Sequence, residues 1–237
     1  MDKLHLDQHI SQQFNLELED IRNKVLSMGG LVEKQVSKGL QALLEADHDL
    51  AHEVAHSDFE INALEVEIDE ECTHVLARRQ PAASDLRLVV TVIKVITDLE
   101  RIGDEAEKLG RFTCDLTDSE KAPTYRKELR HLGELVNSML RAALDAFARL
   151  DVDAAIEIAS RDRDVNKEYE TLERLLATHL VEDPRQVSQL FKITWCARAL
   201  ERIGDHSVNI CEYVVYLVKG RDIRHTSFDQ IRKEFVD

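Results

Sequence analysis

Apolar residues recur along the chain at steps of three and four rather than two, the spacing that lines one face of an α-helix. Ile21, Val25, Met28, Val32, Val36, Leu40 and Leu43 form one stripe, and Leu50, Val54, Ile61, Leu64, Ile68 and Val75 a second. Val92, Val95, Ile96, Leu99, Ile102 and Leu109 form a third. They predict amphipathic helices over 7–46, 48–79 and 84–116. The pattern lapses over 113–124, TCDLTDSEKAPT, and resumes in helices expected over 125–150, 152–180 and 184–219, with a polar tail behind them. Pro81, Pro123 and Pro184 fall at the proposed junctions, where a missing N–H costs least. Asp47 and Asp151 stand where the second helix of each set should start, and Asp183 precedes Pro184, as N-cap residues do.

The two sets are copies. A shift of 104 places superposes Gly29, Leu40, Asp47, Asp58 and Asn62 on Gly133, Leu144, Asp151, Asp162 and Asn166. The hexapeptide LERIGD occurs at Leu99–Asp104 and again at Leu200–Asp205, where the shift is 101. The second copy has therefore lost three residues, and the second helix-to-helix junction is where a deletion does least harm. The fold class predicted is all-α, two tandem three-helix bundles related by internal duplication. The first repeat spans 1–116, a linker 117–124, the second repeat 125–219 and a C-terminal tail 220–237.

Composition agrees. Of 237 residues 43% are hydrophobic, whereas 8 Gly, 3 Pro and 5% aromatics are too few for a many-stranded β protein. A net charge of −15, with basic residues scattered among acids, argues against direct nucleic-acid binding and favours cations or basic protein surfaces as partners. No apolar segment has signal-peptide or membrane-spanning length, so a cytoplasmic protein without membrane insertion is expected. Cys72, Cys114, Cys196 and Cys211 form no C-x-x-C pair and read as reduced, structural thiols.

Candidate chemistry sits in the hexapeptide. Glu100 and Asp104, and again Glu201 and Asp205, lie four apart and so share a helix face. Counting around the helix sets them opposite the apolar stripe, pointing outward. Adjacent like charges are mildly destabilising, and Gly103 or Gly204 costs about 1 kcal/mol against alanine inside a helix. Two unfavourable choices made twice in register point to a bound hard cation, for which paired carboxylates are suitable oxygen ligands. A solvated acidic face with Arg101 or Arg202 as partner is the plainer alternative. On the second helices Asp58, Asn62, Glu65 and Asp69, echoed by Asp162, Asn166, Glu170 and Glu173, either complete that shell or are only solvated.

Other patterns are weaker. His48, His52 and His56 have a zinc or nickel spacing, but the second copy replaces them with Val152, Ile156 and Ser160, so an incidental row is expected. Trp195 and Cys196 align with Lys94 and Val95 and read as core packing. No Gly-rich phosphate loop and no G-x-S-x-G is present.

The paired hexapeptide, with MGGLVEKQV at 28–36, RRQPAASDLR at 78–87 and GRDIRH at 220–225, resembles the PhoU family of phosphate-signalling regulators over nearly the whole chain. The resemblance implies a pseudo-symmetric all-α protein, commonly dimeric. It also implies multinuclear metal clusters held through E(D)-x-x-x-D motifs, here Glu100 with Asp104 and Glu201 with Asp205; iron, manganese, zinc and magnesium are all open. It further implies a cytoplasmic negative regulator of the phosphate regulon acting between the phosphate transporter ATPase PstB and the sensor kinase PhoR. One departure follows the motif: copy one reads Glu105, Ala106, Glu107, Lys108 where copy two reads His206, Ser207, Val208, Asn209, so the two sites are expected to differ. The reading is a non-enzymatic adaptor; the alternatives are a metal-dependent hydrolase using the same carboxylates and a purely structural scaffold.

Overall fold

The computed structural model describes residues 12–57, 59–117, 125–224, 226 and 230. Among them every regular element is helical: α1 (Gln12–Glu45), α2 (His48–Val54), α3 (Phe59–Arg79) and α4 (Ala83–Thr117), then α5 (Arg126–Arg149), α6 (Val152–Ser160), α7 (Asp162–Glu182) and α8 (Val187–Lys219). The start of the first expected helix and the linker positions 118–124 lie outside the described residues, as does most of the tail.

The duplication is visible in the turns. Ala46 and Leu150, 104 apart, both take left-handed backbone, at φ 56° and 54°. Asp47 and Asp151 then cap the following helices, accepting from Leu50 N and Ala154 N at 3.0 Å each, which satisfies otherwise orphan first-turn donors. Pro184 opens a single 3₁₀ turn, Pro184–Gln186, so α8 begins three residues later than the spacing predicts.

In one respect the sequence reading is corrected. The second helix of each set is two helices, α2 and α3 or α6 and α7. After Val54 the ladder tightens to three-residue bonds, His56 N to Glu53 O at 3.2 Å and Ser57 N to Val54 O at 3.3 Å. The Ser57 hydroxyl also donates to Val54 O, and such local bonds compete with helix continuation. Arg161 N bonds Ile158 O in the same way before α7.

The third helix of each repeat is the axis of the molecule. α4 and α8 run antiparallel, with Asp115 against Lys192, Phe112 against Trp195 and Asp98 against His206; α1, α2 and α3 gather on α4, and α5, α6 and α7 on α8. α1 also packs on α5, so the two bundles share one continuous core that includes Met28, Leu99, Ile102, Leu140 and Ile203. Each such side chain contributes about 1.5–3 kcal/mol on burial. Cys72, Cys196 and Cys211 are buried free thiols, and burial pushes each up to about 12, so they stay protonated at neutral pH. Trp195 departs from the core-packing expectation. It is 47% exposed and leans on Phe112 and Phe191, ring centres 5.2 and 6.2 Å away; its counterpart Lys94 marks the position as a rim position.

Candidate functional site

The second hexapeptide sits where α7 crosses α8. Gly204 makes the crossing close: a Cβ there would lie 3.3 Å from Val165 Cγ1 and 4.0 Å from Asp162 Oδ1. Bare backbone on α8 thus lets the first turn of α7 approach, and Asp162 arrives beside Glu201 and Asp205. This gives the mid-helix glycine a packing reason that offsets its helical cost.

Glu201 is only 8% exposed, which corrects the outward reading. Helix-wheel counting assumed one buried face per helix, whereas α8 is covered by α4, α5, α6 and α7. Glu201 Oε1 accepts from Arg198 at 3.0 Å, and Asp162 Oδ2 accepts from Asn166 Nδ2 at 2.7 Å. Glu201 Oε2 and Asp162 Oδ1 are buried without a hydrogen-bond partner. Arg198 also lies over the Tyr169 ring at 5.7 Å, so its guanidinium is fixed from two sides. No reading of the hexapeptide alone found Arg198, although its place three residues before Glu201 is a helical pairing distance.

The electrostatics follow from this crowding. Burial holds the Glu201 carboxyl above its ordinary value, with the Asp205 and Asp162 charges adding to it and Arg198 and Arg202 opposing. Asp162 is raised by burial and then by Asp205. Asp205, at the accessible edge of the group, is raised by partial loss of hydration against the pull of His206, Arg198 and Arg202. Three carboxyls therefore share a site whose own cations do not fully compensate them.

In the first repeat Glu100 and Asp104 are half-buried on α4, with Asn62 and Asp69 exposed on α3; Asp58 lies outside the described residues. Glu100 and Asn62 are each engaged with neighbours. The residues after the motif explain why the copies diverge there. Glu105 takes Lys108 at 2.9 Å and, from the other repeat, Arg202 at 3.3 Å. His206 Nδ1 meets Asp98 Oδ1 at 2.7 Å, and Asn209 Nδ2 donates to the same oxygen at 3.0 Å. Both stretches clasp the facing repeat.

Among the described residues no group of three or more His, Cys, Asp or Glu side chains is arranged to hold a metal ion. The histidine row does not converge: His52 and His56 rings stack at 4.2 Å, and His56 Nδ1 lies 2.8 Å from His52 O. What the second-repeat site offers is a chemical deficit. Two buried carboxylate oxygens lack donors beside a third acid, an arrangement costly in isolation and relieved by a cation. The donors are all oxygen, the kind a hard divalent ion takes, although the three acids are not drawn together to ligand spacing.

A family model described as the PhoU domain matches residues 25–113 and 129–214. The chain is 51% identical over 234 residues to the phosphate-specific transport system accessory protein PhoU homolog of Pseudomonas aeruginosa, covering 99% of this chain and 97% of that protein. The crystal structure of PhoU from Pseudomonas aeruginosa superposes with a TM-score of 0.85 at 52% identity, covering 88% of this chain and 100% of that one. The phosphate transport system regulatory protein PhoU from Streptococcus pneumoniae gives a TM-score of 0.81 at 31% identity, covering 88% and 98%. Among the described residues no helix is long and apolar enough to cross a membrane.

Proposed function

The chain belongs to the PhoU family, and from that membership we propose that it is an accessory protein of the phosphate-specific transport system, a non-enzymatic adaptor that restrains phosphate-starvation signalling from the cytoplasm. It docks on the transporter ATPase PstB and the sensor kinase PhoR, works as a homodimer, and uses cation-loaded carboxylates to shape the docking surface. Glu201, Asp205 and Asp162, with Asn166 beside them, hold the ion in the second repeat; Glu100 and Asp104 do so in the first. The bound ion supplies positive charge to a strongly acidic surface and fixes the crossing of α7 on α8.

One observation carries this reading: the partnerless buried oxygens of Glu201 and Asp162, in a site whose carboxyls are all held above their ordinary values. The test is elemental analysis of chain purified without chelator, beside Glu201→Gln with Asp205→Asn, followed by capture with PstB. A fall in bound metal to the first repeat's share, with loss of capture and an unchanged helical spectrum, supports the adaptor. Full metal and capture in the variant overturns it, as would mutation-sensitive turnover of phosphate esters in manganese.

A further inference from the structure

Two stretches that mark the sequence, RRQPAASDLR at 78–87 and GRDIRH at 220–225, take no part in the acid site. The fold brings them together, because the start of α4 meets the end of α8. Gly220 closes α8 in left-handed backbone, φ 72°, and a Cβ there would lie 3.5 Å from Arg87 Nη1 and 3.6 Å from its Cζ. The glycine thus ends the helix and also lets the Arg87 guanidinium lie against the chain. Arg87 Nε is buried with no hydrogen-bond partner, so packing on Gly220 positions the group. Two turns further along α4, Lys94 lies over the Tyr216 and Tyr213 rings at 5.1 and 5.5 Å. Lys219 and Arg221 stand exposed at the end of α8, and Arg78 at the end of α3.

The duplication shows that the fold does not ask for these charges. Arg78, Arg79, Lys219 and Arg221 match Glu182, Asp183, Asp118 and Glu120 of the other copy, the last two outside the described residues. Arg87 and Lys94 match Ser188 and Trp195. One end of the molecule is therefore basic where its twin is acidic, in a chain of net charge −15. The acids close by, Glu17, Asp85, Glu212 and Asp222, are outnumbered, and two of them are engaged: Glu17 by Arg79 at 2.7 Å and Asp222 by Arg224 at 2.6 Å. Gathering like charges opposes folding and favours an anionic partner.

We propose that this end is a docking face for an acidic segment of a partner protein, held through carboxylates laid along the seam of α4 and α8. Arg87 and Lys94 are seven residues apart, about 10 Å along a helix, so one small anion cannot span them and a row of carboxylates can. Arginine predominates, and its planar fork takes a carboxylate through two parallel bonds. Tyr213, Tyr216 and Leu86, the last 41% exposed, add the aromatic and apolar contact that accompanies arginine in protein interfaces. A bilayer or a nucleic-acid duplex, broad and anionic throughout, would also confront the acidic body around the patch. The face uses none of the candidate cation ligands, and it rests on the adaptor reading only in taking a protein as the partner.

The test is fluorescence anisotropy of a labelled hexaglutamate peptide with the chelator-treated full chain, with phosphatidylserine vesicles and duplex DNA as competitors. Saturable binding is expected that weakens as salt rises. It should fall at least about tenfold in Lys219→Asp with Arg221→Glu, which copies Asp118 and Glu120, and should weaken in Arg87→Ser, which copies Ser188. Lys127→Asp with Arg130→Glu, an equal change of charge at the exposed start of α5, should bind as the native chain does. Absence of saturable binding, full binding by the Lys219 and Arg221 variant, or an equal loss in the α5 variant would overturn the face. Displacement by vesicles or duplex at a lower concentration of anionic groups than unlabelled peptide needs would overturn the protein segment as occupant. Should Arg87→Ser not fold, the Lys219 and Arg221 variant, changed only at exposed positions, decides alone. That variant should keep native metal content, and Glu201→Gln with Asp205→Asn should bind the peptide normally, so failure here is distinct from failure of the ion-loaded adaptor.

Discussion

Leu40 of α1 sits directly over Gly133 of α5, so close that an added Cβ would lie 2.9 Å from Leu40 Cδ2 and 3.1 Å from its Cγ. The contact is repeated in reverse by its duplicates, Leu144 over Gly29, with the nearest approach 2.9 Å to Cδ2 and the Cγ at 3.8 Å. This reciprocal pair is how the two repeats lock along α1 and α5, and the two halves are not equally tight.

Gly133→Ala should therefore cost about 1–3 kcal/mol as overpacking that outweighs the ~1 kcal/mol gained in helix propensity. Gly29→Ala, meeting only the tip of a side chain, should be nearly neutral. Gly110→Ala should be worse than either, because its Cβ would meet backbone, Ala51 O and Ala55 N, at 2.8 Å each. Gly30→Ala, with nothing within 4 Å, should gain about 1 kcal/mol. Urea midpoints at constant slope check the order; a Gly110 variant as stable as the native chain would refute the α2 to α4 packing.

Asp98 is the shared acceptor of His206 and Asn209 and only 2% exposed. Asp98→Ala should cost about 3–5 kcal/mol, since it leaves buried donors without an acceptor at the α4 to α8 contact. Asp98→Asn, which keeps one acceptor, should cost less. Denaturant unfolding of both variants checks this, and equal small losses would mean the clasp is dispensable.

Much of this was legible in the sequence. The apolar three-and-four spacing marks α1, α4, α5 and α8, and Asp47 and Asp151 cap where the pattern says they should. The breaks at Ala55 and Arg161 were not legible, because no glycine or proline marks them; Ser57 beside Asp58 was the available signal. Glu201 was misplaced for a different reason. A wheel drawn for one bundle cannot know that α8 is covered by four other helices. The duplication tells which acids to compare, and the α7 crossing decides between the two readings of Asp162 by bringing it beside Glu201 and Asp205.

Trp195, the single tryptophan, stands 47% exposed beside Phe112. Its emission should be that of a partly hydrated indole and be quenched by acrylamide in the folded chain. Trp195→Ala should cost about 1 kcal/mol or less, against the 3–5 kcal/mol of a buried aromatic. A blue-shifted, unquenched emission would restore the core position that its neighbour Cys196 holds.

The acid site makes a prediction about pH whose sign is fixed by the direction of its shifts. Glu201, Asp162 and Asp205 are all held above their ordinary values in the folded chain. Their protonated forms are thus favoured by folding, a contribution fully present below the ordinary carboxyl range and lost as pH rises through the raised values. In metal-free chain, Glu201→Gln with Asp162→Asn should therefore raise the unfolding midpoint at neutral pH and change it little in acid. A divalent ion reverses the balance, because it binds the ionised site and stabilises the folded state by mass action. Metal should raise the midpoint of the native chain more at neutral than at acid pH, and should move the double variant less, because only the first-repeat pair Glu100 and Asp104 remains intact in it. Calorimetric scans across that range, with and without manganese, decide the matter: an ion that stabilises both chains equally binds elsewhere, and a double variant less stable than the native chain at neutral pH would mean that these carboxylates are held by partners rather than awaiting one.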